Sequence, residues 1–252
     1  MKKVNSRAIV RERLSDADAA PFRTYIDITV GSRTRFSRFI RYELLTSFLG
    51  SIPGGLGFYL RKRFYPSLFR RCGKRLLIGT NVVIRHPDKI ALGDNVTIDD
   101  NCLIDGRGAG SEGIVLGDNV MINRNCMLQA KAGPIKIGSR TSLGSYSIVS
   151  ALDRVDIGSA VLIGGRCYFS AGAYYFDDVS APVMDQGLYA KGPIKIGSNA
   201  YFGAGAMVVG GITVGTGSVI GAGAVVVKDV PDRVVVAGNP ARILRGIGIK
   251  EA

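Results

Sequence analysis

From Leu92 onward, an aliphatic or aromatic residue recurs every six positions with a small residue four places after it, and the beat comes in triplets. Leu92, Ile98 and Ile104 open the series, followed by Leu116, Ile122 and Leu128, by Ile137, Leu143 and Val149, and by Ile157, Ile163 and Phe169. Ile196, Phe202 and Val208, then Val214, Ile220 and Val226, complete it. A period of six fits neither the 3.6 of a helix nor the 2 of a flat strand, so repetition has to be read first. Three short strands of about six residues make one turn of a triangular solenoid. The large residue fills the interior, and the small one tolerates crowding near a corner. Stacked coils pair backbone to backbone at about 4.8 Å, each buries its apolar residues only against a neighbour, and both ends need caps. The turns carry Gly, Asp, Asn and Ser, which accept tight backbone geometry.

Step lengths between triplets locate insertions. Ile196 to Val214 is 18 residues, Ile137 to Ile157 is 20, Leu116 to Ile137 is 21, Leu92 to Leu116 is 24, and Ile157 to Ile196 is 39. The longest step inserts residues 170–195, a loop with Tyr174, Tyr175, Asp177 and Asp178, and long loops in compact architectures are commonly functional.

The 46% apolar content over 252 residues is ample for a core. Basic Met1-Lys2-Lys3 is followed by no apolar run, so a cleaved signal peptide is not expected. The uncharged stretch from Ala200 to Val227 has a membrane-like hydropathy, but its hexads and frequent Gly assign it to the solenoid. Cys102, Cys126 and Cys167 fall in the small interior slot of their hexads, which predicts buried reduced thiols, as in a cytoplasmic protein.

Basicity belongs to one end. Residues 1–75 hold 17 Lys and Arg against 5 Asp and Glu, net +12, whereas residues 76–252 hold 16 against 15, net +1. Within 1–75, Phe36, Phe39, Ile40, Leu44, Phe48 and Leu49 recur at helical spacing, Pro53-Gly54-Gly55 breaks the chain, and a second run continues through Phe58, Leu60, Tyr65 and Leu68. This predicts a helical hairpin, with residues 1–30 as a polar arm. The hairpin caps the N-terminal end of the solenoid or, through Arg61, Lys62, Arg63 and its other cations, holds the chain peripherally on an anionic membrane such as the inner face of the cell membrane. The aromatics follow a packing period and no nucleic-acid module is visible, so no nucleic acid is expected as a partner. The division expected is thus 1–75 for arm and hairpin and 76–245 for the solenoid with its closing segment.

The C-terminal hexads from Ile196-Gly197-Ser198-Asn199-Ala200 to Ile220-Gly221-Ala222-Gly223-Ala224, with Val227-Lys228-Asp229-Val230-Pro231 and Ala237-Gly238-Asn239-Pro240-Ala241-Arg242, resemble the closing coils of acetyl-CoA-dependent hexapeptide-repeat acyltransferases. The likeness covers about residues 75–245 and implies a left-handed parallel β-helix of about six to seven coils, mainly β, with a small helical element in front. Tyr42-Glu43-Leu44-Leu45, Pro53-Gly54-Gly55-Leu56-Gly57 and Arg85-His86-Pro87 are similar to the extension of a subgroup that modifies surface polysaccharides. The resemblance implies a homotrimer with acetyl-CoA between subunits. Ala204, Gly205, Ala222 and Gly223 would line the pantetheine arm, while Lys228 and Arg242 would meet phosphate.

That family takes its general base from a loop histidine, whereas this loop reads Ala171-Gly172-Ala173-Tyr174-Tyr175-Phe176-Asp177-Asp178. Tyr175, or Tyr174 one residue away, stands in the histidine's place, with Asp177 and Asp178 the other candidates. The lone histidine, His86, belongs to the first coil and is expected to be structural; one histidine also cannot make a three-histidine zinc site, and no metal is expected. Three readings follow. The first is an acetyl-CoA-dependent O-acetyltransferase acting on a sugar or surface polysaccharide; the second, a catalytically silent trimeric homologue serving as a binding partner; the third, a membrane-surface protein.

Overall fold

The computed structural model describes residues 2–4, 21–31 and 34–248. Its body is a left-handed parallel β-helix of three faces, two carrying seven strands each and the third nine, so seven full coils are stacked. The residues that set the six-residue beat all point to a common axis: Leu92, Leu116 and Ile137 are each 1% exposed. Phe169 and Phe202 meet edge to face inside, with ring centres 5.2 Å apart. The first coil precedes Leu92. Its strands are Arg71–Cys72, Leu77–Ile78 and Val83–Arg85, paired in parallel with the coil that follows. The solenoid register therefore begins ahead of residue 76, a reach already signalled by Cys72, Ile78 and Ile84 at six-residue spacing.

Two corners never vary. Four-residue turns such as 93–96 and 99–102 join the first face to the second and the second to the third. The third corner, where each coil climbs to the next, absorbs every length difference, from 210–212 to 171–193. At the fixed corners one residue adopts left-handed geometry, as in Asn95, Asn119 and Asn125 with φ of 57°, 56° and 60°, a conformation Asn tolerates better than other non-glycine residues. Gly138 leaves no room for a side chain, because a Cβ there would lie 2.6 Å from the carbonyl carbon of Gly158 on the next coil. Interior polar groups are satisfied by that same stacking: Cys126 Sγ donates to Gly144 O at 3.1 Å, and Thr141 Oγ1 donates to Gly158 O at 2.9 Å. The cysteines are free, with Cys102, Cys126 and Cys167 buried.

Helices Phe36–Leu49 and Gly54–Phe64 form a helical pair joined across Pro53. A further helix, Pro21–Thr29, occupies part of the segment expected as an arm, with Phe22 and Tyr25 packed edge-on against Phe39. The pair covers the open end of the first coil. Leu77–Ile78 and Val83–Arg85 are the terminal strands of their sheets, so some of their carbonyls have no coil to meet. Tyr42 Oη donates to Ile84 O at 2.7 Å, and Arg61 Nε donates to Ile78 O at 2.9 Å. Arg61 is fully buried, and its Nη1 also donates to Leu49 O and Ile52 O, at 2.9 and 2.8 Å. The sequence expectation that grouped Arg61 with an outward basic surface is corrected: its guanidinium is the polar plug of the cap. At the other end, Val234–Ala237 and Arg242–Gly246 close the second face as an antiparallel hairpin.

Candidate active site

The long loop leaves the third corner of the fifth coil after Tyr168–Ser170 and returns at Ile194–Ile196. It is built rather than loose. Ala173–Tyr174 pairs antiparallel with Leu188–Ala190, whose other edge is taken by Lys2–Val4. Tyr175 N–H donates to Gly187 O at 3.0 Å, and the Tyr175 ring packs on that of buried Tyr189, with centroids 4.6 Å apart. Tyr175 is thus fixed and half-buried, while Tyr174 is 53% exposed.

The two carboxylates differ. Asp178 Oδ1 accepts hydrogen bonds from the Ser180 hydroxyl and amide at 2.6 and 2.9 Å, and these hold its carboxyl below the usual range. A weaker base results, occupied with its own turn. Gln186 clasps the same turn, its Nε2 donating to Asp178 O and Ala181 O at 2.7 and 2.8 Å. Asp177 is exposed beside it. The sequence names no role for Gln186 or Tyr189, since both act by closing the loop on itself.

The small residues expected to face a cofactor gather at the second corner. Gly223 N–H donates to Ala204 O at 2.9 Å and Gly205 N–H to Gly165 O at 2.9 Å, so the corners of coils five to seven stack directly. Ala204, Ala222 and Gly223 are exposed and Gly205 half-buried, giving a lane with almost no side-chain bulk. Arg242 lies at its upper end: Gly238 O and Ala241 N bond the backbone of Val225, the first residue beyond that corner in the last coil. Lys228 follows Val225–Val226 and so lies at the third corner, on the loop's side of the solenoid. The structure therefore unites five of the six residues expected at the cofactor, sets Lys228 apart with the loop, and puts the third face between the two groups.

His86 stands four coil steps from the loop, about 19 Å along the axis. Its backbone is left-handed at φ 50°, its N–H donates to Thr29 O at 2.7 Å, and its Nε2 lies 2.8 Å from Asp27 O. Burial lowers its pKa below the ordinary 6.5, the Asp27 hydrogen bond opposing. It ties the Pro21–Thr29 helix to the first coil. Among the described residues, no group of three or more His, Cys, Asp and Glu could hold a metal. A cavity of about 860 Å³ lies at this N-terminal end, away from the loop and the lane.

Two family models match: Bacterial transferase hexapeptide (six repeats) over residues 193–228, and Hexapeptide repeat of succinyl-transferase over residues 95–130. A probable acetyltransferase of Mycobacterium tuberculosis is 31% identical over 117 residues, covering 46% of this chain and 39% of that protein. A putative acetyltransferase of Dictyostelium discoideum is 37% identical over 120 residues, covering 38% and 63%. The chain thus spans less than two thirds of the length of these relatives. Among solved structures, the N-acyltransferase AntD from Bacillus cereus, in complex with dTDP and 3-hydroxybutyryl-CoA, superposes with a TM-score of 0.51 at 19% identity, over 75% of this chain and 89% of that one, a likeness of fold. Coils of three six-residue strands, matched by hexapeptide models at two separate stretches, are what this chain has in common with the hexapeptide-repeat transferases.

Proposed function

We propose that the chain is an acetyltransferase that moves the acetyl group of acetyl-CoA to a hydroxyl of a sugar or surface glycan, working as a homotrimer. The observation that carries this reading is the bare lane of Ala204, Gly205, Ala222 and Gly223 with Arg242 at its end. An extended pantetheine arm needs close backbone approach along stacked coils, and a guanidinium suits phosphate at the end of such a lane. The loop with Tyr175 stands at a different corner of the same chain. A neighbouring copy whose loop faces this lane would complete the site, which is the reason for the trimer.

The acceptor hydroxyl must lose a proton as its oxygen attacks the thioester carbonyl and CoA leaves as thiol. Asp178 is poorly suited to take it, since its own hydrogen bonds lower its basicity. Tyr175, held by Tyr189, is the loop group we assign beside the reacting atoms, Tyr174 being the looser alternative and Asp177 an exposed carboxylate nearby. Much of the rate then comes from holding the hydroxyl against the thioester. The same shortage of a strong base supports a second reading, a silent homologue that keeps the cofactor lane as a binding site.

Equilibrium binding of acetyl-CoA, followed by free-thiol release with a panel of glycans, tests both. The acetyltransferase reading expects binding and acceptor-dependent release, with Tyr175→Phe lowering turnover and Tyr175→His raising it at neutral pH. Binding without release for any acceptor favours the silent homologue. Absence of binding defeats both.

A further inference from the structure

The helix Phe36–Leu49 is apolar on two opposite sides. Phe39 and Tyr42 point into the core and are 3% and 6% exposed. Phe36, Ile40, Leu44 and Phe48, each four residues from the last, form a stripe on the far side and are 39 to 68% exposed. The next helix continues the surface with Leu56 and Tyr59, 65% and 66% exposed. A helix of a soluble domain keeps its outward side polar, and an outward stripe of large apolar residues marks a contact surface. Of the six apolar residues at helical spacing in Phe36–Leu49, only Phe39 and Leu49 pack inward, and among the described residues the other four stay largely exposed, Phe36 leaning on Phe39.

Charge identifies the partner. Arg38 and Arg41 lie along one flank of the stripe, and exposed Lys62 and Arg63 accompany Leu56 and Tyr59 on the neighbouring helix. Arg35, Arg38 and Arg41 line the 860 Å³ cavity, to which Lys89 and Arg107 also contribute. Arg107 is matched by Asp105 at 2.6 Å, and Asp27 and Asp88 line the cavity too, so its balance remains positive through Arg38 and Arg41 of this helix and Arg35 just before it. Among the described residues no helix is long and apolar enough to cross a membrane. Apolar side chains on the outward face of a short helix, flanked by arginines long enough to reach past them, are what an in-plane interfacial helix presents to lipid.

We propose that this face docks the protein on a membrane surface rich in anionic phospholipid, the stripe entering the acyl boundary and the arginine-lined cavity receiving phosphate headgroups. Capping and docking are then the two sides of one element: Tyr42 and Arg61 serve the inner side, Phe36, Leu44 and Phe48 the outer. The proposal is independent of the acetyl-transfer reading, because its residues lie at the opposite end of the solenoid from the cofactor lane.

The test is sedimentation of the full chain with phosphatidylcholine vesicles, with and without phosphatidylglycerol, at low and physiological salt. Binding is expected only to the phosphatidylglycerol vesicles and weakens with salt. The pair Arg38→Gln and Arg41→Gln should weaken it about 30-fold, at roughly one basic residue's surface attraction each. The triple Phe36→Ser, Leu44→Ser and Phe48→Ser should abolish it while leaving the circular dichroism spectrum and oligomeric state unchanged. No vesicle binding by the parent chain overturns the proposal. So does full binding by the serine triple, capture of soluble pyrophosphate in place of vesicles, or a serine triple that dissociates an oligomer, since the stripe would then be covered by a second copy.

Discussion

Replacing Arg61 probes the cap at its most demanding atom. Three backbone carbonyls, Leu49 O, Ile52 O and Ile78 O, accept from one buried guanidinium at 2.8 to 2.9 Å. Backbone acceptors cannot be mutated away, so Arg61→Met keeps much of the stem's volume but strands them in a site closed to water. Hydrogen bonds from a charged donor contribute about 1.5 to 3 kcal/mol each, without strict additivity. Nη2 has no hydrogen-bond partner among the described residues, and this buried donor detracts from the gain. The net loss expected for Arg61→Met or Arg61→Ala is about 3 to 5 kcal/mol, toward the low end of about 1 to 3 for each of three stranded carbonyls, because the buried charge leaves with the side chain. Arg61→Lys, with a single ammonium that cannot span all three acceptors, should lose about half of that. Because a solenoid is held coil to coil, the damage should start at the open end. Urea unfolding should then show an early transition of the helical pair, and amide exchange should quicken around Ile78 and Ile84 before it does around Val208. An Arg61→Met protein within about 1 kcal/mol of the parent, with unchanged exchange at Ile78, would refute the claim that the guanidinium satisfies this edge.

Further outcomes follow from the same geometry. His86 has a folded pKa lowered by burial, so below pH 6.5 the unfolded chain binds a proton that the folded chain resists. Stability is complete above that value and falls as pH drops through it, and a series of melting temperatures should lose this slope in His86→Gln. Ala160 sits at a fixed corner with φ 56°; Ala160→Gly relieves left-handed strain at a smaller entropic cost and should stabilise by about 0.5 to 1 kcal/mol in urea unfolding. Ala222→Phe adds an exposed side chain to the lane; it should leave the melting temperature nearly unchanged and abolish acetyl-CoA binding in equilibrium titration, whereas unaltered affinity would move the cofactor elsewhere.

The β-helix was legible in the sequence because its rule is local. A six-residue strand and corner must place one large side chain inside and one small residue near the bend, whatever the rest of the chain does, and Leu92, Leu116 and Ile137 obey it. The helical pair was legible too, from spacing and the break at Pro53-Gly54-Gly55. What each helix faces was not. Phe36 and Phe39 look alike in a helical pattern, and only the first coil beneath them decides which is core and which is exposed. Arg61 reads as one of three adjacent cations, yet it is buried because the first coil leaves Ile78 O open at that place. Asp178 reads as a candidate base, yet its oxygen is taken by Ser180 two residues on. Periodicity fixes which residues share a side of an element. Partners for charges and unmet carbonyls come from chain ends and loops brought together in space, and these only the tertiary structure decides.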